Sequence, residues 1–109
     1  MPREIFIALT NAVPGKDEAF NQWYDNCHLA DVLDCPGIVS VQRFDVRDFR
    51  GNRAKHQYAA VYEVDHPDPV AAVEEVFRRF SEGEMTQTDA MADDFVALLC
   101  TPRDGAICR

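Results

Sequence analysis

At 109 residues the chain has the size of one domain, so residues 1–109 are expected to build a single core. A hydrophobic share of 47% beside 28% charged residues is typical of a globular protein and excludes a disordered chain. The net charge of −8, from 19 acidic and 11 basic residues, argues against nucleic acid as a partner. No signal peptide and no apolar run of membrane-spanning length is present, so we expect a cytoplasmic protein that does not contact a membrane.

The first third of the sequence predicts a strand and then an aromatic helix. Ile5–Leu9 is a continuous apolar run, typical of a strand covered on both faces. Pro14-Gly15 indicates a turn, and the acidic pair Asp17-Glu18 favours a helix N-terminus after it. The helix is expected to end at Cys35-Pro36-Gly37. Spacings of three and four residues place one stripe of this helix on the sheet: Phe20, Trp23, Tyr24, Cys27 and His28.

The middle of the sequence predicts an antiparallel hairpin. Ile38–Val46 alternates imperfectly as a strand, with Arg43 on a side that is otherwise apolar. The segment Arg47–Lys55 is rich in Arg, Asn, Asp and Gly, as loops are. His56–Val64 follows as the second strand, with His56, Tyr58 and Tyr62 on one face where they could line the same cavity.

The last third predicts a helix and a strand. Asp68-Pro69 is an N-cap followed by the first helical residue, and Gly83 marks the end of the helix. Met85–Asp93 is expected to be a loop, and Phe95–Cys100 a strand that is apolar on both faces. The tail Thr101–Arg109 is expected at the surface or against a partner. The predicted buried stripe of the helix is Val70, Val73, Val76, Phe77 and Phe80.

The element order β-α-β-β-α-β predicts an α+β ferredoxin-like fold, an antiparallel sheet with two helices on one face. The first and last strands are apolar on both faces, so the face away from the helices needs cover. The same face of a second copy would supply it. We therefore expect a homodimer whose two sheets form a dimeric α/β barrel.

The first helix carries the most specific sequence signal. Trp23-Tyr24, His28-Leu29-Ala30-Asp31 and Pro36-Gly37 resemble the EthD-like family of dimeric α/β-barrel proteins, named for ethyl tert-butyl ether degradation. Ala30 stands where that family has a proline. This difference affects the expected bend of the helix after His28 and the direction in which the His28 ring points. The resemblance implies cofactor-independent decarboxylases, dehydratases or cyclases that act on small aromatic, phenolic or polyketide-like compounds. Related dimeric barrels include cofactor-free monooxygenases and haem-degrading enzymes.

His28 and Tyr24 are the candidate catalytic residues. Imidazole takes and gives a proton near neutral pH, and a phenol donates a hydrogen bond to a developing enolate or phenolate oxygen. Each has a structural alternative, a hydrogen-bonded core histidine and a core aromatic residue.

Four further residues are candidates for substrate binding. Arg43 either binds a substrate carboxylate or phenolate or pairs with an acidic side chain. Tyr58 is the preferred pocket residue on its strand, and Trp23 is assigned to packing in the same region. Asp31 either orients the imidazolium of His28 or is solvated, and Asp25 is expected at the surface.

The sequence gives little support to two other kinds of site, a tautomerase site and a metal site. Removal of Met1 would expose Pro2 as the N-terminal base of a tautomerase, but the rest of the chain does not follow that plan. No metal site is expected, because His28, His56 and His66 have no ligand spacing. The cysteines lack CxxC spacing and are expected as reduced, small apolar side chains: Cys27, Cys35, Cys100 and Cys108.

The sequence thus predicts a cofactor-independent lyase or isomerase in which His28 moves a proton on a small aromatic compound. Two alternatives stay open. One is a dimer that binds a hydrophobic metabolite without converting it, and the other is a cofactor-free monooxygenase.

Overall fold

The computed structural model describes residues 3–109, so the Pro2 amine considered above lies outside the described residues. Four antiparallel strands pair in the order β2-β3-β1-β4. The helices cover one face of the sheet, which confirms the predicted ferredoxin-like βαββαβ fold. The strands are β1 Glu4–Thr10, β2 Ile38–Arg47, β3 Arg53–Val64 and β4 Val96–Cys100. Within residues 3–109, no helix is both long enough and apolar enough to cross a membrane.

The first helical segment changes its geometry in the middle. It runs as α1 (Asp17–Trp23), a π-helical turn (Tyr24–His28) and α2 (Leu29–Leu33). In the π turn, the Leu29 N–H donates to the carbonyl of Tyr24, five residues earlier. Residues five apart on an ideal α-helix point roughly 140° away from each other, whereas a π turn brings them to one side. The uniform three- and four-residue spacing expected from the sequence is therefore wrong between Tyr24 and His28.

The long helix α3 (Pro69–Ser81) begins as predicted, since the Asp68 side chain accepts a hydrogen bond from the Ala71 N–H at 3.2 Å. Its predicted buried stripe is only partly correct. Ala72 and Val76 are buried, whereas Phe77 is 36% exposed and Val70 is 54% exposed. The two exposed side chains line a groove of about 270 Å³ between α3 and β4, which keeps them from full burial.

Burial of β4 on both faces was also expected, and this is wrong for the single chain. Leu98 is 46% exposed because β4 is an edge strand whose outer face is uncovered in the described part of the chain. The same outer face runs along β1, because Ile7 pairs with both Leu98 and Val61. By strand alternation, the large apolar residues that β1, β3 and β4 place on this outer sheet face are Ile5, Ile7, Leu9, Val61, Val96 and Leu98.

The core lies between the inner sheet face and the helices. The first helical segment contributes Phe20, Tyr24 and Val32, which pack against Tyr62 and Val64 of β3. This arrangement places the aromatic end of the first helical segment directly over the centre of the sheet. The candidate site lies there.

Candidate functional site

A cavity of about 50 Å³ lies between the inner sheet face and the helices. Its wall is almost entirely apolar, with large side chains from α3 and from the segment that precedes β4. The polar side chains in its wall are Thr10, Tyr24, His28 and Tyr62. A few polar groups that converge in an apolar cavity are typical of a site for a small organic molecule.

The imidazole of His28 is held by three aromatic rings. It stacks on Trp23 at 4.5 Å between centroids, and it meets the rings of Tyr24 at 4.9 Å and Phe80 at 5.8 Å edge-on. The π turn makes this possible, since Trp23 and His28 are five residues apart. Among residues 3–109, no group bonds to the buried Nδ1 atom of His28.

This environment keeps His28 neutral at physiological pH. Burial lowers the pKa of His28 from 6.5 to about 4, against the opposing effect of the Asp31 carboxylate, while the Arg43 guanidinium lowers it further. A neutral imidazole keeps one lone pair free for a proton or a hydrogen-bond donor. His28 is thus available as a base or a hydrogen-bond acceptor rather than as a cation.

The hydroxyl groups of Tyr24 and Tyr62 form a buried pair in the cavity wall, 3.1 Å apart. Burial raises the pKa of both hydroxyls, so both stay protonated at neutral pH. Two hydroxyl hydrogens are therefore present, and the bond between the oxygens uses only one of them. The second is free to donate to the oxygen of a bound molecule.

Trp23 and Asp31 lie next to His28 but contact the same loop residue. The Trp23 Nε1 atom donates to the carbonyl of Thr86 at 2.9 Å, and the Asp31 Oδ2 atom accepts from the Thr86 N–H at 2.9 Å. Together they fix the loop that carries Met91, a residue of the cavity wall. Neither side chain is part of that wall, so their direct contribution is to hold the loop and, for Trp23, to stack on the imidazole.

Arg43 lies behind Tyr24 rather than in the cavity. Its guanidinium carbon is 4.3 Å from the centroid of the Tyr24 ring, and its Nη1 atom pairs with Asp25 at 3.0 Å. Of the two sequence interpretations of Arg43, the structure matches the pairing with an acidic side chain. Asp25 is exposed, as expected.

Tyr58 also lies outside the cavity. Its hydroxyl donates to Asp17 at 2.6 Å and accepts from Asn21 at 3.3 Å, both at the start of the first helical segment. His56, on the same strand, bonds through Nε2 to the carbonyl of Asp94 at 2.8 Å. Of the three polar aromatic residues expected on this face of β3, only Tyr62 reaches the cavity.

Several residues of the cavity wall were not chosen from the sequence. Tyr62 shares its strand face with Tyr58, so strand alternation indicated both residues. Tyr58 was preferred, but it is Tyr62 that lines the cavity. Thr10 falls on the same face of β1 as Phe6 and Ala8, which alternation also indicates. Phe95 and Met91 come from the segment before β4, where periodicity gives no signal.

Within residues 3–109, no three His, Cys, Asp or Glu side chains are placed to hold a metal ion together. The polar groups of the cavity wall are the imidazole of His28 and the hydroxyls of Thr10, Tyr24 and Tyr62.

No protein-family model and no curated protein matches the chain. Solved structures do match. An EthD family protein from Bacillus halodurans C-125 has a TM-score of 0.62 at 14% identity over 92% of this chain and 98% of that one. A candidate monooxygenase from Shewanella loihica PV-4 has a TM-score of 0.63 at 17% identity over 95% and 97%. A dimeric ferredoxin-like protein of unknown function from Jannaschia sp. CCS1 has a TM-score of 0.56 at 14% identity over 91% and 98%.

These likenesses show the fold, and they define the class of protein as ferredoxin-like. Among solved proteins of this class, the chain is similar to an EthD family protein over nearly its whole length. The EthD-like resemblance carried by the first helix is therefore confirmed at the level of the fold.

Proposed function

We propose that this protein is a cofactor-independent enzyme that uses His28 as an acid/base group on a small aromatic or phenolic compound. The observation that carries the proposal is the buried Nδ1 of His28, which has no partner among residues 3–109, on a side chain that lines the same cavity as the Tyr24–Tyr62 hydroxyl pair. A buried polar atom without a partner costs free energy, and such costs are common where a ligand supplies the missing bond.

In this proposal His28 and the tyrosines divide the work. Neutral His28 takes the proton of a phenolic or enolic hydroxyl, and the free hydrogen of the Tyr24–Tyr62 pair bonds to the oxygen left behind. His28 then returns the proton to carbon or to a leaving group. Decarboxylation, dehydration and ring closure all use these two steps. We therefore propose lyase or isomerase activity.

The energy of the first step explains why the hydroxyl pair matters. A phenol has a pKa near 10, so proton transfer to an imidazole with a pKa of about 4 is uphill by about 8 kcal/mol. Stabilisation of the oxyanion offsets this cost only if hydrogen-bond donors are already in place. The Tyr24–Tyr62 pair is such a donor.

Size constrains the substrate. Pockets for small molecules usually enclose roughly 300 Å³ or more, and the cavity holds about 50 Å³. Phe6, Phe77 and Ala97 line both the cavity and the adjoining groove of about 270 Å³. We infer that a ring compound occupies both spaces after the Phe77 side chain moves aside.

Two alternatives use the same cavity. A non-catalytic protein would retain a hydrophobic metabolite without converting it, which the apolar wall supports. A cofactor-free monooxygenase would consume oxygen together with its substrate. The Shewanella loihica protein named as a candidate monooxygenase has this fold but is only 17% identical.

We also infer that two copies associate through the outer sheet face. Leu98 is 46% exposed on the edge strand of this face, and Ile7 and Val61 follow it in register across β1 and β3. A continuous apolar surface of this kind is typical of an interface. The dimeric protein from Jannaschia sp. CCS1 supports this assembly through its fold.

The function is tested with a panel of phenolic acids, by mass spectrometry before and after incubation with the protein. We expect conversion by the natural sequence, a loss of at least about 100-fold in His28→Gln, and little change in His66→Gln. Circular dichroism checks that each variant is folded, and an oxygen electrode separates oxygenation from lyase chemistry. Equal turnover by folded His28→Gln would refute the proposal, and retention of a compound without conversion would favour the binding protein.

A further inference from the structure

The guanidinium of Arg43 occupies a box of aromatic rings. Its central carbon is 4.3 Å from the ring centroid of Tyr24, 5.4 Å from that of Tyr58 and 5.6 Å from that of Phe20. Distances within about 6 Å of a ring face allow cation–π attraction. Arg43 is therefore held by rings on the inner side of β2, with Tyr24 nearest.

The hydrogen bonds of Arg43 are few for a buried guanidinium. Its side chain is only 15% exposed, and its Nη1 atom pairs with the more exposed Asp25. Its Nε and Nη2 atoms are buried and have no partner among residues 3–109. Only one of its three nitrogens is thus bonded to a counter-ion, so much of its positive charge faces the rings rather than a carboxylate.

Tyr24 connects this charge to the cavity. The face of its ring lies against Arg43, the ring is nearly perpendicular to that of His28 at 4.9 Å between centroids, and its hydroxyl bonds to Tyr62 in the cavity wall. A cation close to a phenol favours negative charge on the phenolic oxygen and disfavours positive charge on a neighbouring imidazole. The buried charge of Arg43 therefore acts both on the tyrosine hydroxyls that bond to the oxyanion and on the imidazole that moves the proton.

We propose that Arg43 is a positioning residue of this site: from behind the Tyr24 ring, its charge makes the Tyr24–Tyr62 pair a stronger donor to an oxyanion and disfavours protonation of His28. Arg43 does not touch the ligand in this role. The proposal deepens the proposed function and rests on it for any effect on turnover. The electrostatic effect itself is present without a substrate.

Other charged and titratable groups face these residues. Asp31 of α2 and the hydroxyls of Tyr24 and Tyr62 lie near His28, and Phe80 of α3 contributes an uncharged ring. Near Arg43, Asp25 is the ion-pair partner, Tyr58 contributes its ring, and Asp45 lines the same surface pocket. The Asp25 carboxylate partly neutralises Arg43, so its removal should strengthen the effect of Arg43.

The test is an NMR titration of the His28 imidazole in the full-length protein without substrate. Arg43→Met keeps the length of the side chain and removes its charge, so the pKa of His28 should rise, by about half a unit to one unit. Arg43→Lys keeps the charge and should stay close to the natural sequence. Asp25→Asn, at an exposed position, should lower the pKa further. Arg47→Met, on the same strand but exposed, is the matched control and should leave the pKa unchanged.

Shifts of opposite sign in Arg43→Met and Asp25→Asn would support the proposal. If Arg43 only packs against Tyr24, folded Arg43→Met will titrate like the natural sequence, and the proposal is then overturned. A shift in Arg47→Met as large as that in Arg43→Met would overturn it too. Should Arg43→Met not fold, Asp25→Asn decides, because an unchanged or raised His28 pKa in that variant contradicts the proposal.

Turnover gives a separate readout. We expect Arg43→Met to lower kcat about tenfold with little change in KM, and Arg43→Lys to restore most of it. Absence of turnover in the natural sequence would count against the proposed function, whereas the titration would still measure the role of Arg43.

Discussion

At the scale of single residues, some of the candidates chosen from the sequence line the cavity and others do not. His28 and Tyr24 lie in the cavity wall, as the motif led us to expect, although a π turn rather than regular helical spacing connects them. Arg43 and Tyr58 were expected in the pocket and instead lie behind the rings of the first helical segment. Alternation predicts the face of a strand but not which tyrosine on that face lies below the helix, and this explains the choice of Tyr58 over Tyr62.

His28 should also make stability depend on pH. Because the pKa of His28 is about 4 in the folded protein and 6.5 unfolded, stability is full above pH 6.5 and falls as pH drops to about 4. The loss is at most about 3 kcal/mol, since one pKa unit corresponds to about 1.4 kcal/mol. Urea unfolding at pH 7 and pH 4.5 should show a smaller loss in His28→Gln. Equal losses in both proteins would contradict the depressed pKa.

Tyr62 and Tyr58 offer a matched comparison. Tyr62→Phe removes one hydroxyl of the buried pair and, as the loss of an oxyanion donor, should lower turnover by about 100-fold. Tyr58→Phe removes a hydroxyl that bonds to Asp17 and Asn21 outside the cavity, and should leave turnover nearly unchanged. Steady-state kinetics on the converted compound measures both. A larger loss in Tyr58→Phe would show that the wrong tyrosine has been placed in the site.

At the scale of elements, the π turn and the loop before β4 build the site together. The turn lets Trp23 stack on His28, and the loop closes the cavity while Trp23 and Asp31 hold Thr86. Helix spacing rules assume a constant rise and rotation, so the sequence pattern could not predict the π turn. The loop has no periodicity and was predicted only as a loop.

Removal of the Asp31 carboxylate should loosen this loop. Asp31→Ala leaves the Thr86 N–H without its acceptor, so hydrogen exchange at Thr86 should speed up and stability should fall by about 1 kcal/mol. Asp34→Ala, just after α2, removes a side chain that is 87% exposed and only a surface ion pair with Arg79, so as the control it should change neither. Unchanged hydrogen exchange at Thr86 in Asp31→Ala would show that the Asp31 carboxylate does not hold this loop.

Truncation of Phe77 should join the cavity to the groove between α3 and β4. We expect Phe77→Ala to bind 1-naphthol at least about tenfold more tightly than the natural sequence, because the larger space admits a second ring. Phe49→Ala, a change at a residue 90% exposed in the β2–β3 loop, should have no effect. Calorimetric titration gives both affinities. Equal binding by all three proteins would show that Phe77 does not limit the space.

At the scale of the whole molecule, the order of apolar runs and helix signals was sufficient to predict the fold. The Asp68-Pro69 start of α3 lies where the sequence placed it, and β2 and β3 pair antiparallel as expected. The hairpin loop is shorter than predicted, because β3 begins at Arg53 rather than at His56. The burial of β4 was overestimated, because the sequence pattern does not distinguish cover by helices from cover by a partner. That difference is the basis for the proposed dimer.

A charge in the outer sheet face should separate the two copies. Leu98→Glu places a carboxylate among the exposed apolar residues of this face, so analytical ultracentrifugation should show a dimer for the natural sequence and a monomer for the variant. Leu33→Glu adds the same charge at an apolar residue of similar exposure, 41%, on α2 and should stay dimeric. A monomeric natural protein, or a dimer that only Leu33→Glu disrupts, would contradict this interface.

His28 is proposed to be a neutral base in an apolar site, and its own titration tests this most directly. With ¹⁵N-labelled histidine, the NMR signals of His28 can be followed from pH 8 to pH 3.5 in the folded protein. We predict a neutral ring throughout the physiological range and a midpoint of about 4. A midpoint near 6.5, the value of an exposed histidine, would contradict the account.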